Sequence, residues 1–273
     1  MLRGKTALIT GSAKGLGKQT ALALAELGCD VAVNFVNSEK EANELVNRIE
    51  GMGVRAIAVR ADVSCRQDNM RMIDTVAAAL GSVDILVNNA GPFVRERRMF
   101  DEYGLDEIDY LVRGNLTGVM ELDRLALPYM KKGGWGRIIH FGFGRALEAR
   151  GWPHRAVYAA AKVGLVSLTK TLAEELAPSG ITVNMICPGD IRGKNKEKSI
   201  SDVAHLTDDE FPGIRPGSGE DVSRVIAFLC MPQSDFLTGN VIEVSGGFDP
   251  IRSLAGSKSL QEPFLAEQNK QRK

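Results

Sequence analysis

A phenol and an ammonium stand four residues apart in Tyr158-Ala-Ala-Ala-Lys162. On a helix that spacing puts both groups on one face. A free phenol titrates at about pH 10, too high for ready proton transfer at neutrality. A neighbouring cation favours the phenolate, so Lys162 is expected to draw Tyr158 down toward the working range. Many Tyr–Lys pairs on surface helices share this spacing and do no chemistry. What singles this one out is the upstream glycine loop Thr10-Gly11-Ser12-Ala13-Lys14-Gly15-Leu16-Gly17. A strand-like run precedes it and an Ala/Leu-rich helical stretch follows. In that context glycines let the backbone approach a pyrophosphate, and the helix N-terminus supplies N–H groups and a positive dipole. The loop therefore reads as a dinucleotide site rather than a structural turn.

Charge indicates which dinucleotide. An NAD site usually places an acid after the second strand to receive the ribose 2′-hydroxyl. Here Val31-Ala-Val33 is followed by Asn34-Phe35-Val36-Asn37-Ser38, with no acid until Glu39. Lys14, inside the loop, offers a cation to a 2′-phosphate. Together these favour NADP(H) over NAD(H).

The elements that must hold these groups alternate along the chain. Strands are expected over residues 6–10, 31–35, 55–59, 84–88, 137–141, 182–186 and 241–244. Helices are expected over 16–27, 39–52, from a Ser64-x-x-Gln67 capping box to Leu80-Gly81, in one long region ending near Met130, over 158–177, and over 221–230. Strictly alternating strands and helices imply parallel β-α-β units, hence an α/β, doubly wound sheet flanked by helices. Residues 1–247 read as one domain; 248–273 lose periodicity, end in Asn-Lys-Gln-Arg-Lys, and read as a solvated tail or a segment docking on a neighbouring subunit.

Composition narrows the class. The 34 Lys+Arg balance 34 Asp+Glu, which argues against a nucleic-acid partner or a polybasic membrane surface. No apolar run approaches the roughly 20 residues of a membrane span, and the start at Met1-Leu-Arg-Gly-Lys leaves no room for a cleavable signal. Cys29, Cys65, Cys187 and Cys230 lie far apart, with no Cys-x-x-Cys pair, so reduced thiols in a cytoplasmic protein are expected and no metal site.

Taken in order, Thr10-Gly-x-x-x-Gly15-x-Gly17, Asn88-Asn89-Ala90-Gly91, Asn115, Tyr158-x-x-x-Lys162 and Pro188-Gly189 resemble the motifs of the classical short-chain dehydrogenase/reductase family, from about residue 4 to 247. Within it, Gly136-Arg-Ile-Ile, Gly180-Ile-Thr-Val-Asn184 and the closing stretch Thr238 to Gly247 look most like the 3-oxoacyl-acyl-carrier-protein reductases. The resemblance implies a single Rossmann domain with a seven-stranded parallel sheet, NAD(P)-dependent interconversion of a carbonyl and an alcohol, and a homotetramer. It implies a small-molecule or acyl-carrier-bound carbonyl substrate. By family roles Tyr158 protonates the carbonyl oxygen, Lys162 holds the nicotinamide ribose, and Asn115 positions a relay water. Gly11, Ser12, Lys14, Gly15, Leu16 and Gly17, with Asn37 and Ser38, would border the phosphates and adenosine ribose. Asp62 and Val63 would hold the adenine, and Asn89, Ala90 and Gly91 would lie beside the cofactor ribose. Pro188 and Gly189, with Tyr158 and Lys162, complete the set.

Two departures stand out. The family serine that hydrogen-bonds the reacting oxygen falls on Phe143, and no Ser or Thr occurs between Trp135 and Val157. The segment is also about two residues longer than usual. His154 or Arg145 could replace the missing donor, whereas His140, inside a strand, reads as a core histidine. After Pro188-Gly189 the threonine that many members use to meet the nicotinamide amide is absent from Asp190-Ile191-Arg192-Gly193. The charged run Lys194-Asn-Lys196-Glu-Lys198 reads as part of a substrate loop, solvated or meeting an acidic substrate.

Overall fold

The computed structural model describes residues 1–189, 191–207 and 215–247; the C-terminal segment assigned above as a tail lies outside the described residues. Seven strands form one parallel sheet in the order β3-β2-β1-β4-β5-β6-β7. They are β1 (Thr6–Ile9), β2 (Asp30–Phe35), β3 (Ala56–Arg60), β4 (Ile85–Asn88), β5 (Gly136–Phe141), β6 (Ile181–Pro188) and β7 (Val241–Val244). The main helices are α1 (Gly15–Glu26), α2 (Glu39–Glu50), α3 (Arg66–Leu80), α4 (Leu105–Val112), α5 (Gly118–Gly133) and α6 (Ala156–Leu176), then the short α7 (Ile200–Val203) and α8 (Gly219–Cys230).

The strands are short apolar runs because both sheet faces are covered. Successive residues alternate between two cores: Ala7, Ile9, Val31, Val33, Ile85 and Val87 pack under α1, α2 and α8. Leu8, Ala32, Leu86 and Ile138 pack on the other face under α3, α5 and α6. Leu165, Leu168, Leu172 and Leu176, whose helical spacing is compatible with either an interface or a core, pack within the chain. No helix among the described residues is long and apolar enough to cross a membrane.

After β3 the chain returns to pair β4 with the other side of β1. That reversal opens a crevice at the carboxyl ends of β1 and β4, where open α/β sheets bind ligands. The two lips are laced together: Asn89 Nδ2 donates to the carbonyls of Thr10 (2.8 Å) and Gly11 (3.1 Å). The Ala90 N–H donates to Thr10 Oγ1 at 2.9 Å.

Two expectations about helices need correction. Ser64 does not cap α3, which begins at Arg66 with Cys65 in the N-cap position and no side-chain cap bond. Ser64 lies one residue too early, and its hydroxyl donates to Asp62 Oδ1 at 2.7 Å. The single helical region expected up to Met130 is two helices, α4 and α5, joined by a π-turn at Arg113–Thr117. The cause is tertiary. A Cβ on Gly114 would lie 2.3 Å from Pro92 Cδ, and one on Gly118 2.1 Å from the Val63 carbonyl oxygen, so these glycines let the helix press against both neighbouring loops.

Candidate active site

Every residue expected to line a cofactor, apart from the Tyr–Lys pair, follows the carboxyl end of a strand on one edge of the sheet. Gly11 to Gly17 follow β1, Asn37 and Ser38 follow β2, Asp62 and Val63 follow β3, Asn89 to Gly91 follow β4, and Pro188 and Gly189 close β6. The loop after β1 is fixed by Asn34, almost fully buried, whose Oδ1 accepts from the Gly11 N–H at 2.9 Å. Asn34 Nδ2 donates to the Ala61 carbonyl at 2.9 Å, tying the loop to the end of β3. Gly11 takes a left-handed φ of 60°, and a Cβ on Gly17 would stand 2.7 Å from both Asn89 Nδ2 and the Gly11 carbonyl. A side chain at either position would fill or distort the cradle, so the residues present fit a nucleotide there.

Two of the expected contact residues use their polar groups within the protein. The Ser12 hydroxyl donates to the Ile9 carbonyl at 2.7 Å, and Asp62 Oδ1 accepts from both the N–H and the hydroxyl of Ser64. Leu16 is half-buried against the core, Asn37 is exposed and Ser38 half-buried at the N-cap of α2, and Val63 is buried. The Gly189 N–H donates to the Val244 carbonyl at 2.9 Å.

Two carboxylates that the motifs did not predict reach this cradle. Glu41, in the first turn of α2, meets Lys14 Nζ at 2.6 Å. Glu197, from the 3-10 turn Gly193–Glu197, accepts from the Gly15 N–H at 2.8 Å and pairs with Lys18 Nζ at 2.7 Å. Gln19 Nε2 donates to the Glu197 carbonyl at 2.7 Å, so the charged run after β6 lies against the start of α1.

The chemistry-bearing pair sits near the start of α6. Tyr158 is enclosed by aromatic rings: Phe93 edge-on at 5.0 Å, Trp152 at 6.0 Å and Phe143 at 6.3 Å between centroids. Phe143 and Trp152 touch at 5.0 Å, and Phe143 is 4% exposed. Lys162 is buried, its Nζ 5.7 Å from the Tyr158 ring centroid. Among the described residues no carboxylate pairs with it. Burial pushes the Tyr158 phenol above its ordinary range, with Cys187 adding to the rise. The same burial lowers the Lys162 ammonium to about 8, opposed by Cys187. The expected lowering of the phenol by its lysine is not found here; desolvation, which penalises phenolate and ammonium alike, sets the direction of both shifts. Cys187 lies behind the pair, and burial, then Glu243, pushes its thiol up to about 12.

Asn115 lies in the π-turn, where its Nδ2 donates to the carbonyls of Pro92 (2.8 Å) and Leu111 (3.0 Å). Its buried Oδ1 has no hydrogen-bond partner among the described residues and would stand 2.3 Å from a Cβ on Gly91. His140 is the core histidine expected: its ring bridges Thr169 Oγ1 at 2.8 Å and Asp123 Oδ2 at 2.9 Å, fully buried. Of the two candidate donors, Arg145 is paired with Glu148 at 2.6 Å. His154 adopts a left-handed φ of 66°, and its buried Nδ1 has no partner among the described residues.

Comparison with known proteins places this geometry. A family model described as short chain dehydrogenase matches residues 5–204. The candidate oxidoreductase YtkK of Bacillus subtilis (strain 168) is 43% identical over 246 residues, covering 90% of this chain and 96% of that one. The 3-oxoacyl-[acyl-carrier-protein] reductase FabG of Staphylococcus epidermidis is 36% identical over 243 residues, covering 89% and 98%. A candidate 3-oxoacyl-reductase from Bacillus thuringiensis superposes with a TM-score of 0.85 at 43% identity, over 90% of this chain and 99% of that one. A blue fluorescent protein from a metagenomic library, solved with NADPH, gives 0.78 at 34%, over 90% and 98%. The resemblance read from the ordered motifs is borne out, and the chain belongs to the short-chain dehydrogenase/reductase family of oxidoreductases.

Proposed function

We propose that residues 1–247 form an NADP(H)-dependent oxidoreductase that interconverts a carbonyl and an alcohol, with a small-molecule or acyl-carrier-bound substrate of the 3-oxoacyl type. One observation carries the reading: Lys162 is buried beside Tyr158 without a carboxylate partner among the described residues. An uncompensated buried charge destabilises a fold by several kcal/mol in rough terms, so chemistry is the reason to keep it there.

The nicotinamide of such a cofactor supplies or accepts a hydride. Gly11, Gly15, Leu16 and Gly17 would hold its phosphates, Asn37, Ser38 and Lys14 its adenosine ribose, Asp62 and Val63 its adenine. Asn89, Ala90, Gly91, Pro188 and Gly189 would flank its ribose and nicotinamide, with Ser12 shaping the loop beneath. Tyr158, protonated at neutrality because its phenol is pushed up, donates its proton to the carbonyl oxygen as charge grows there. Lys162 holds the ribose and stabilises the phenolate left behind. Asn115 Oδ1, without a partner among the described residues, would accept from a relay water.

By the family resemblance, Phe143 would stand at the position of the serine that steadies the reacting oxygen. Loss of one such donor lowers turnover about 10²–10³-fold. Slow reduction of 3-oxoacyl and simple ketone substrates is therefore expected, followed as NADPH consumption over a ketone panel. Tyr158→Phe should abolish it and Phe143→Ser should increase it, both read on protein that still binds NADPH. If Tyr158→Phe leaves turnover unchanged, this mechanism is wrong. The packing of Phe143 and Trp152 over Tyr158 favours one alternative, a non-catalytic NADP-binding protein with a regulatory or assembly role. Tight NADPH binding with no turnover on any ketone would support that alternative.

A further inference from the structure

The ribose corner of the cradle holds an acid after all, delivered from an unexpected place. Residues 34–38, where the acid of an NAD site normally stands, carry none. Glu39 and Glu41 both lie in the first turn of α2, but only Glu41 turns back to the glycine loop, placing Oε1 2.6 Å from Lys14 Nζ. The adjacent Lys40 faces the other way along the helix, 3.9 Å from Glu44, and offers no substitute cation to the loop. Lys14 and Glu41 remain 55% and 40% exposed, so a ligand can reach both. The Lys14 hydrogen bond also holds the Glu41 carboxyl below its ordinary range, keeping it an anion at neutrality.

We propose that Glu41 is a specificity-determining residue of the cofactor site, holding down the preference for NADP(H) that Lys14 alone would confer. The inference rests on the nucleotide reading above. A free ribose 2′-hydroxyl donates a hydrogen bond to a carboxylate at this corner and leaves the Lys14–Glu41 pair intact. A 2′-phosphate must instead draw Lys14 away from Glu41 and then lie beside the carboxylate it has displaced. Like charges at that separation disfavour the complex. The same side chain therefore assists NAD(H) and opposes NADP(H), and the protein discriminates between them less than its glycine-loop lysine suggests.

The test is fluorescence titration of NADPH and NADH on the wild-type protein, Glu41→Gln and Glu41→Asp. Displacement of bound NADPH by 2′,5′-ADP and by 5′-AMP isolates the ribose corner from the rest of the site. Glu41→Gln is expected to tighten NADPH and 2′,5′-ADP roughly fivefold, the scale of one partly exposed charge pair. NADH and 5′-AMP should be unchanged or weaker. Glu41→Asp, too short to reach Lys14, should fall between the two. A parallel change for both dinucleotides, or no change in either, overturns the role of Glu41. If neither dinucleotide binds any of the proteins, the nucleotide reading itself fails and takes this inference with it.

Discussion

Lys162 shows how a single residue opposes the fold that contains it. Its folded value of about 8 lies below the ordinary 10.5 of a lysine. At any pH below about 8 the group is charged in both the folded and the unfolded chain, so the full desolvation penalty opposes folding. As pH rises from about 8 to 10.5 the folded chain sheds the proton first, and the penalty fades. Lys162→Met is therefore expected to stabilise the protein at pH 7 by roughly 3 kcal/mol, with the gain vanishing above pH 10.5. Urea unfolding at pH 7 and pH 10.5 measures it, and a variant less stable at pH 7 would refute the account. At this scale the sequence was legible wherever partners were close in the chain. Tyr158 and Lys162 lie one helical turn apart, and Gly11 to Gly17 are contiguous. Glu197 meets Gly15 across 182 residues of chain, and no local pattern announces such a contact. The direction of the Tyr158 shift was not legible either, because spacing reveals a neighbouring charge but not how much water the fold removes.

Among the elements, the short turn Gly193–Glu197 most directly links the two halves of the site. It follows β6, which ends beside the Tyr158–Lys162 pair, yet its last residue sits on the first N–H of α1. That N-terminus is where a pyrophosphate gains most from free N–H groups and the helix dipole. On the proposed cofactor reading, Glu197 and a dinucleotide would compete for this one position, and the segment would have to leave α1 for the cofactor to bind. Glu197→Ala is expected to tighten NADPH and NADH equally, by about tenfold for the loss of a charge-assisted competitor. Equal tightening separates it from Glu41→Gln, which changes the ratio. Amide hydrogen exchange across 193–198 should rise in the cofactor-free variant; unchanged exchange together with unchanged affinity would refute the competition. Element type was readable because strands buried on both faces are continuous apolar runs and the helices carry a 3.6-residue period. The π-turn at Arg113–Thr117 escaped because its cause is Pro92 and Val63 pressing on Gly114 and Gly118, contacts from other parts of the chain.

On the scale of the molecule, large apolar side chains remain uncovered at several places on the described chain, two groups of them bearing on assembly. At the end of α8, Phe228 is 49% exposed and Phe236, just beyond, 97%. The chain then enters β7, the edge strand, which pairs only with β6 among the described strands. Over the middle of the sheet, where α5 packs on β4 and β5, α4 and α5 expose Leu105 (81%), Tyr110 (47%) and Met120 (39%). Exposed apolar surface of this kind marks interfaces in soluble proteins. One self-complementary patch gives a dimer about a two-fold axis, and two independent ones give a tetramer with dihedral symmetry. Light scattering is therefore expected to return four times the 29.5 kDa chain mass. Phe236→Asp alone and Leu105→Asp alone should each stop assembly at a dimer, since either leaves one patch intact, and the double variant should be a monomer. A wild-type monomer would refute the tetramer. A tetramer indifferent to both substitutions would place its interfaces elsewhere.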